Sequence, residues 1–283
     1  MANIGLVLKR GAPHATDAAR PVVDWCREQG HEVFTEPDAA ATLGVESLSK
    51  AGMFDRVDAI VVLGGDGTLL ATARLSGERE VPLIGVNLGT LGFLAETTEG
   101  ELEGVLARTL AGEAKVDRRR MLHATVEMAT GRTTTHQALN DAVLSRGALG
   151  RTIDIEAHID GAYLARFNAD GLIVSTPTGS TAYNLSAGGP LIHPSVRVML
   201  LSPICPHTLS IRPIVVDDGS RLELRLGNSR EGLLLTLDGQ ETVSLSPADR
   251  VVITRSPYAA CLVTAADLSY YDLLRTKLGW AVR

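Results

Sequence analysis

The run DAIVVLGGDGTLLATARLSG, Asp58 to Gly77, limits this chain more than any other stretch. An almost wholly apolar strand leads through glycines into a helix-like segment from Thr68 to Leu75. A strand apolar on both faces has to be covered by helices on both sides, which is the environment of a parallel sheet. Glycine turns after such strands ordinarily offer backbone N–H groups to phosphate, yet Asp66 puts a carboxylate in the middle of this one. A Walker A loop needs Lys and Ser/Thr after its glycines, and GGDGTLL has neither in register. A dinucleotide fingerprint needs GxGxxG, and Leu70 stands where the third glycine would be. Asp66 therefore either caps the following helix, with Thr68 sharing the task, or addresses a ligand from the carboxyl end of a central strand. In the second case the glycines supply close backbone approach and positive φ.

The neighbouring segments repeat the alternation. NIGLVL, HEVFTE and VPLIGVN read as strands. ATDAARPVVDWCREQG reads as a helix ended by Gly30, with its regular part starting at Pro21, and EGELEGVLARTLAG as an acidic-first helix closing near Gly112. Strands and helices at this spacing predict a mostly parallel, doubly wound α/β domain over residues 1–117. GVNLGTLGFLAE forms a second turn at the same sheet edge, with Asn87, Gly89, Thr90 and Gly92. Two such turns after adjacent strands make one crevice and point to a nucleotide site.

Past Arg120 the pattern changes to short strand-like runs such as TIDIEAHIDG, RLELRLG and GLLLTLDG, several alternating polar and apolar. They predict a second, β-rich domain over 118–258. In 259–283 the spacing of Tyr270, Leu273, Leu274 and Leu278 predicts a helix with one apolar stripe that packs on a domain already present.

Composition narrows the partners. A net charge of −6 argues against nucleic acid, and the one basic cluster, KVDRRR, suits a solvated linker or an ion-pair face. No run approaches the length needed to span a bilayer. Cys26, Cys205 and Cys261 are far apart and odd in number, without CxxC, so neither a disulfide framework nor a zinc site is expected. A soluble protein of the cytoplasm is the expectation.

A third dense stretch, DGLIVSTPTGSTAYNLSAGGPLIHP, crowds the hydroxyls of Ser175, Thr176, Thr178, Ser180, Thr181 and Ser186 around a turn and a short helix start near Ser180 or Thr181. Such a helix start suits phosphate or ribose oxygens, and an ordinary capped turn is the plainer alternative.

LGGDGTLL, GVNLGTLGFL, ALNDAVLSR, DGLIVSTPTGSTAYNLSAGGP, CPHTLSIRPIVV and LTLDGQ, in this order, resemble the NAD kinase family, specifically its bacterial members. The resemblance runs from about Ile4 to Val263. The GGDG turn alone is shared with diacylglycerol- and sphingosine-type lipid kinases and, more loosely, with phosphofructokinases. The TPTGSTAYNLSAGGP stretch is the specific part.

The resemblance implies a Rossmann-like N-terminal parallel-sheet domain, a C-terminal β-sandwich-like domain and a last helix returning to the first. It implies transfer of a phosphoryl group from ATP, with magnesium or manganese, to the 2′-hydroxyl of the adenosine ribose of NAD. Some members also use polyphosphate, and members assemble as homodimers or homotetramers. A lipid kinase and a dinucleotide-sensing binding protein without turnover are the rival functions.

By resemblance, Asp66 is the catalytic aspartate, and Gly65, Gly67, Thr68 and Asn87 border the nucleotide. Asn140 and Asp141 match the pair that recognises the substrate nucleotide; most members have Asn-Glu there, so this chain keeps the carboxylate and shortens it. Arg151, Asp170, the run Thr181, Ala182, Tyr183, Asn184, Leu185 and Ser186, and Gln240 fall where members line the NAD site. Asn168 stands where some relatives carry a basic residue. His207, in CPHTLS, is expected to serve packing or a backbone hydrogen bond rather than chemistry. No set of metal ligands is assigned; the phosphates and one or two carboxylates would suffice.

Overall fold

The computed structural model describes the chain except for residues 90–91, 147–151, 209, 228–232, 265–268 and 281–283. The chain forms two compact units, Met1–Arg118 with Tyr258–Arg283, and Arg119–Pro257. The first unit contains β1 (Asn3–Leu8), α1 (Pro13–Glu28), β2 (Glu32–Thr35), α2 (Pro37–Leu43), β3 (Glu46–Ser47) and α3 (Lys50–Arg56). It continues with β4 (Ala59–Gly64), α4 (Asp66–Ala73), β5 (Pro82–Asn87) and α5 (Leu102–Leu110).

Its strands are parallel in the order β5-β4-β1-β2-β3. Every residue of β4 is buried, as two-sided cover requires. Ile4, Leu6, Val61 and Leu63 pack with α1 and α5 through Val22, Cys26 and Leu106. On the opposite face a Cβ on Gly5 would come within 3.2 Å of Met53 in α3.

The helix α1 departs from expectation by running through Pro21 instead of starting there. Pro21 and Asp17, whose carbonyl loses its i+4 donor, both lie on the exposed face, so water can satisfy that oxygen. Meanwhile Ala15, Ala19, Val22, Val23 and Cys26 bury one continuous stripe across the proline. Packing of that stripe outweighs the local penalty.

The second unit holds most of β6 (Val116–Glu127), then β7 (Thr133–Ala138), β8 (Asp141–Arg146), β9 (Ile153–Ile159), β10 (Ala162–Ala169) and β11 (Gly171–Ser175). After these come the one-turn α6 (Tyr183–Ser186), β12 (Val198–Ile204), β13 (Ile214–Asp217), β14 (Leu222–Leu226), β15 (Leu233–Leu237) and β16 (Glu241–Leu245). β17 (Arg250–Val263) begins in this unit and ends in the first, where α7 (Tyr270–Leu278) follows.

One antiparallel layer runs β10-β9-β14-β17, with β6 between β17 and β7; the other runs β13-β12-β11-β8-β15-β16. Their inward residues, among them Phe167, Ile155 and Leu224 from one layer and Leu144, Leu172 and Leu235 from the other, share one core. That is the arrangement of a sandwich.

In the first unit, Cys261 and Leu262 of β17 pair in parallel with Pro82 and Leu83 of β5. Ser269 and Asp272 form a capping box at the start of α7, and Leu273 and Leu274 are buried. The Lys277 ammonium sits 5.9 Å from the centre of the Phe93 ring, so the helix returns to the first unit. Among the described residues no helix is long and apolar enough to cross a membrane.

Candidate functional site

The glycine turn joins β4 to α4, and Asp66 is the first helical residue. Gly65 is the N-cap and brings no side-chain cap. The Asp66 carboxylate does not cap α4 either. Its Oδ2 accepts the Phe93 N–H at 2.8 Å, and its Oδ1 accepts those of Leu94 at 3.1 Å and Ala95 at 3.0 Å. Asp66 thus fixes the segment after β5 and answers the question of what a carboxylate does in this turn. A carboxylate offers about four lone-pair directions; three donors leave room for a further hydroxyl.

The glycines of the turn differ from expectation. Gly64, Gly65 and Gly67 all have negative or extended φ, so positive φ is not their purpose. A Cβ on Gly64 would stand 2.6 Å from the Thr68 hydroxyl, which makes that residue a close-approach glycine, whereas space around Gly65 is open. Gly67 is exposed and Thr68 half-buried. Asn87, at the end of β5, closes a local turn: its Oδ1 accepts the Gly89 N–H at 2.9 Å and its Nδ2 donates to the Gly89 carbonyl at 3.3 Å. Thr90 lies outside the described residues.

A cavity of about 370 Å³ opens at the carboxyl ends of β1, β4 and β5, where ligands of open α/β sheets bind. Its walls include Lys9, His14, Gly64, Gly65, Asn87 and Gly89. Lys9 and His14 were absent from the sequence-based site. The signal was the KRGAPH turn directly after the first strand.

In the second unit a pocket of about 380 Å³ is lined by Asn140, Asp141, Ser145, Tyr183, Thr236 and Asp238, with Ala182 beside Tyr183. Asp238 anchors it. Its carboxylate accepts the N–H groups of Leu139 at 3.0 Å, Asn140 at 2.7 Å and Asp141 at 3.1 Å. Asp238 sits at φ +51° in the turn between β15 and β16, a conformation Asp tolerates better than most residues. Asp141 is only 4% exposed, and burial, with the Asp238 charge beside it, pushes its carboxyl up to about 7. Asp238 was missed as a site residue, although LTLDGQ had marked the stretch.

Three hydroxyls of the run, those of Ser175, Thr176 and Ser180, turn to backbone partners within the same unit. The Thr176 hydroxyl donates to the Leu139 carbonyl at 2.6 Å and accepts the Gly179 N–H at 3.1 Å, while Ser175 donates to the Asn140 carbonyl at 3.1 Å. Ser180 exchanges hydrogen bonds with the backbone of Ile192. A Cβ on Gly179 would meet the Asn140 oxygen at 2.2 Å. These contacts stitch residues 175–180 to 139–140 and hold Asn140 in place.

Asn184 is fully buried. Its amide donates to the Ser180 and Pro190 carbonyls and its oxygen accepts the Ser202 hydroxyl, so a side-chain contact with ligand is not available to it. The Thr181 hydroxyl donates to the Thr178 carbonyl at 3.3 Å. Leu185 is half-buried, Ser186 exposed, and Tyr183 46% exposed on the pocket wall.

Gln240 is exposed and adjoins Gly239 of the same pocket. Asn168 and Asp170 are not part of it. Asp170 lies near Arg146, 3.9 Å away, at the opposite end of β8 from Asp141, roughly 17 Å along the strand. Asn168 is exposed at the end of β10, and its carbonyl accepts the His207 N–H at 3.0 Å. The His207 side chain is exposed, so the backbone bond, not packing, is its contribution. Arg151 lies outside the described residues.

Comparison with known proteins covers both units. Residues 4–114 match the family "ATP-NAD kinase N-terminal domain", and residues 139–265 match "ATP-NAD kinase C-terminal domain". The chain is 42% identical to the NAD kinase of Geobacter metallireducens over 283 residues, covering 100% of both proteins. It is 44% identical over 285 residues to the NAD kinase of Syntrophotalea carbinolica, again covering 100% of both. Among solved structures it is similar to yeast NADH kinase complexed with NADH, with a TM-score of 0.93 and 27% identity over 100% of this chain and 89% of that one. It also shares the fold of an NAD kinase from Archaeoglobus fulgidus in complex with ATP, with a TM-score of 0.78 and 23% identity over 98% and 99% of the two chains.

Proposed function

The chain belongs to the NAD kinase family, and from that premise we infer how its own residues phosphorylate NAD with ATP to give NADP. The observation that carries the assignment of roles is Asp66: both carboxylate oxygens are aligned by backbone N–H groups at the carboxyl end of β4, with one acceptor direction left. A ribose hydroxyl is a weak nucleophile. A fixed carboxylate orients it and takes its proton late in the transfer, while phosphoryl transfer itself asks mainly for positioning and charge balance. Asp66 is therefore the catalytic residue, and the backbone of Gly65 and Gly67 with Thr68 and Asn87 borders the phosphate path.

Asn140, Asp141, Ala182 and Tyr183 line the pocket that suits the substrate nucleoside. The Tyr183 ring offers a stacking face, and Asp141, held by the Asp238 anchor, offers a carboxyl to base or ribose. Arg151, Asn168, Asp170, Thr181, Asn184, Leu185, Ser186 and Gln240 are assigned to the NAD site on resemblance; for Asn184 the burial of its side chain restricts that part to the backbone.

Among the described residues no three His, Cys, Asp or Glu side chains converge on a metal position. Magnesium or manganese would be carried largely by the phosphate oxygens, and when bound it would offset phosphate charge during transfer.

Incubating the protein with ATP, NAD and magnesium should yield ADP and NADP, read by a coupled dehydrogenase assay. Absence of NADP would overturn the assignment. Replacing ATP by inorganic polyphosphate in the same assay decides whether that donor is also used. The enzyme is further read, on resemblance, as a homodimer or homotetramer. Light scattering showing only a 30.0 kDa species at full activity would refute self-association. The three free cysteines suit a cytoplasmic, reducing setting.

A further inference from the structure

His136 of β7 and Glu241 of β16 meet at one end of the sandwich. Their strands close the two layers: among the described residues β7 pairs with β6 alone, and β16 with β15 alone. His136 stands opposite Ala124 and Thr134 opposite Val126, and both of those partners belong to the core. The two polar residues of β7 therefore lie on its inward face. Glu241 shares its face of β16 with Val243 and Leu245, which pack on the same core. His136 Nδ1 lies 2.6 Å from Glu241 Oε1, and its Nε2 lies 3.0 Å from the Thr134 hydroxyl. A carboxylate only accepts, so Nδ1 carries a proton and donates it to the bond. The imidazole side chain is 14% exposed and that of Glu241 44%.

We propose that His136 is a positioning residue for the substrate nucleotide: its bond to Glu241 braces the strand leading into Asn140 and Asp141 against the turn carrying Asp238. The proposal rests on the reading that Asn140 and Asp141 face NAD, and adds what holds them there.

The two residues sit where that site is assembled. β7 ends at Ala138, and the next three residues are those whose N–H groups the Asp238 carboxylate accepts. In return the Asp238 N–H donates to the Asp141 carbonyl at 2.9 Å. Glu241 begins β16 directly after that turn. The stretches 136–141 and 238–241 are thus joined twice, once through Asp238 and once through the His136–Glu241 bond. One attachment fixes a point. Two, separated by at most about 14 Å of chain between His136 and Asn140, fix a direction as well. β7 gains from the second because a strand paired on one side has nothing else to hold its far edge. A hydrogen bond to a carboxylate is of the stronger kind, and Thr134 fixes the ring from its other nitrogen.

Steady-state kinetics and melting temperature are measured for His136→Ala, Glu241→Ala, the double variant and His136→Asn, whose amide nitrogen can donate from the place of Nδ1. Each single alanine variant should raise KM for NAD roughly 3–10-fold and leave KM for ATP within about twofold. The double variant should be no worse than either single one, because both remove the same bond. His136→Asn should recover most of the loss. Should His136→Ala fail to fold, Glu241→Ala breaks the same bond from its more exposed side. Where Asp141→Ala raises KM for NAD, unmoved KM values in both single alanine variants overturn the proposal. Equal shifts for both substrates, or additive losses in the double variant, do the same. Hydrogen exchange at the N–H groups of Leu139, Asn140 and Asp141 needs no ligand and separates this inference from the reading beneath it. His136→Ala should speed exchange there at least ~5-fold. Faster exchange, with KM for NAD indifferent to Asp141→Ala, keeps the brace and removes NAD from the pocket. Unchanged exchange, with KM for NAD raised by Asp141→Ala, does the reverse.

Discussion

Asp66 Oδ1 occupies the space that a side chain on Gly92 would need: a Cβ there would stand 1.9 Å away. The carboxylate and the glycine are therefore one arrangement, since the three N–H groups that Asp66 receives come from the residues directly after Gly92. Gly92→Ala should displace either the loop or the carboxylate and lower kcat at least ~10-fold. Gly77→Ala, placed where nothing stands within 4 Å, is the control and should stay within about twofold. Equal rates for both variants would show that the loop anchor is unimportant to transfer.

Asp66→Asn is a harsher change than its size suggests. With both oxygens accepting backbone N–H groups, an amide must point its NH₂ at a donor, most simply that of Phe93. The variant should lose ~10²–10⁴-fold in kcat from the missing proton acceptor and also ~1–3 kcal/mol of stability from the orphaned donor. A helix-capping role predicts neither, because Asn caps about as well as Asp. Rate, melting temperature and a calorimetric NAD titration of the variant separate the two losses. Activity within about threefold of the parent would remove Asp66 from the mechanism.

The Asp141 carboxyl, raised to about 7 by burial first and by Asp238 second, gives a pH dependence of defined sign. Between its ordinary value of 3.8 and about 7 the folded chain holds a proton that the unfolded chain has released. The stability this contributes is complete below the lower value and is lost as pH rises through the upper one. The melting temperature of the parent, relative to Asp141→Asn, should therefore fall between about pH 4 and about pH 7. Parallel pH profiles would mean that Asp141 titrates like an ordinary carboxylate.

Asp141→Ala should weaken NAD much more than ATP, by ~1.5–3 kcal/mol or roughly 10–100-fold. Equal loss for both substrates in steady-state kinetics would point to a role in the turn alone.

The anchor predicts a second-site effect. Asp238→Gly would relieve the φ of +51° yet leave the N–H groups of residues 139–141 without their acceptor. KM for NAD should rise at least ~10-fold while KM for ATP changes little. An unchanged KM for NAD, with the fold intact, would show that Asn140 and Asp141 hold their positions without Asp238.

Elements whose evidence is local were legible in the chain. The apolar β4, the switch from helical to alternating periodicity near residue 118 and the stripe of α7 all follow from patterns within a dozen residues. The segment Pro37–Arg56, with α2, β3 and α3, went unread even though Pro37 at a first helical turn and Ser49 as an N-cap signal both helices. Seven residues per helix give periodicity too little length to register. The site was less legible because its organisation is non-local. Asp238 acts on residues 97–99 positions away, Asp66 on residues 27–29 away, and the hydroxyls of Ser175 and Thr176 turn inward to carbonyls more than 30 positions back. Composition shows that such groups are present; only the fold decides which way each one faces.

The pairing of β17 with β5 bears on how the chain is made. Pro82 and Leu83 find their partners in Cys261 and Leu262, about 180 residues later, so at ~5–20 residues per second a growing chain leaves that side of β5 open for roughly 10–35 s. An unpaired strand side is a template for wrong partners, and in a polysome the nearest strands belong to other nascent copies of the same sequence. Proline at position 82 carries no N–H, so the waiting edge lacks a donor at its first position. The residue that starts β5 also makes it a poorer template until its own partner emerges from the ribosome.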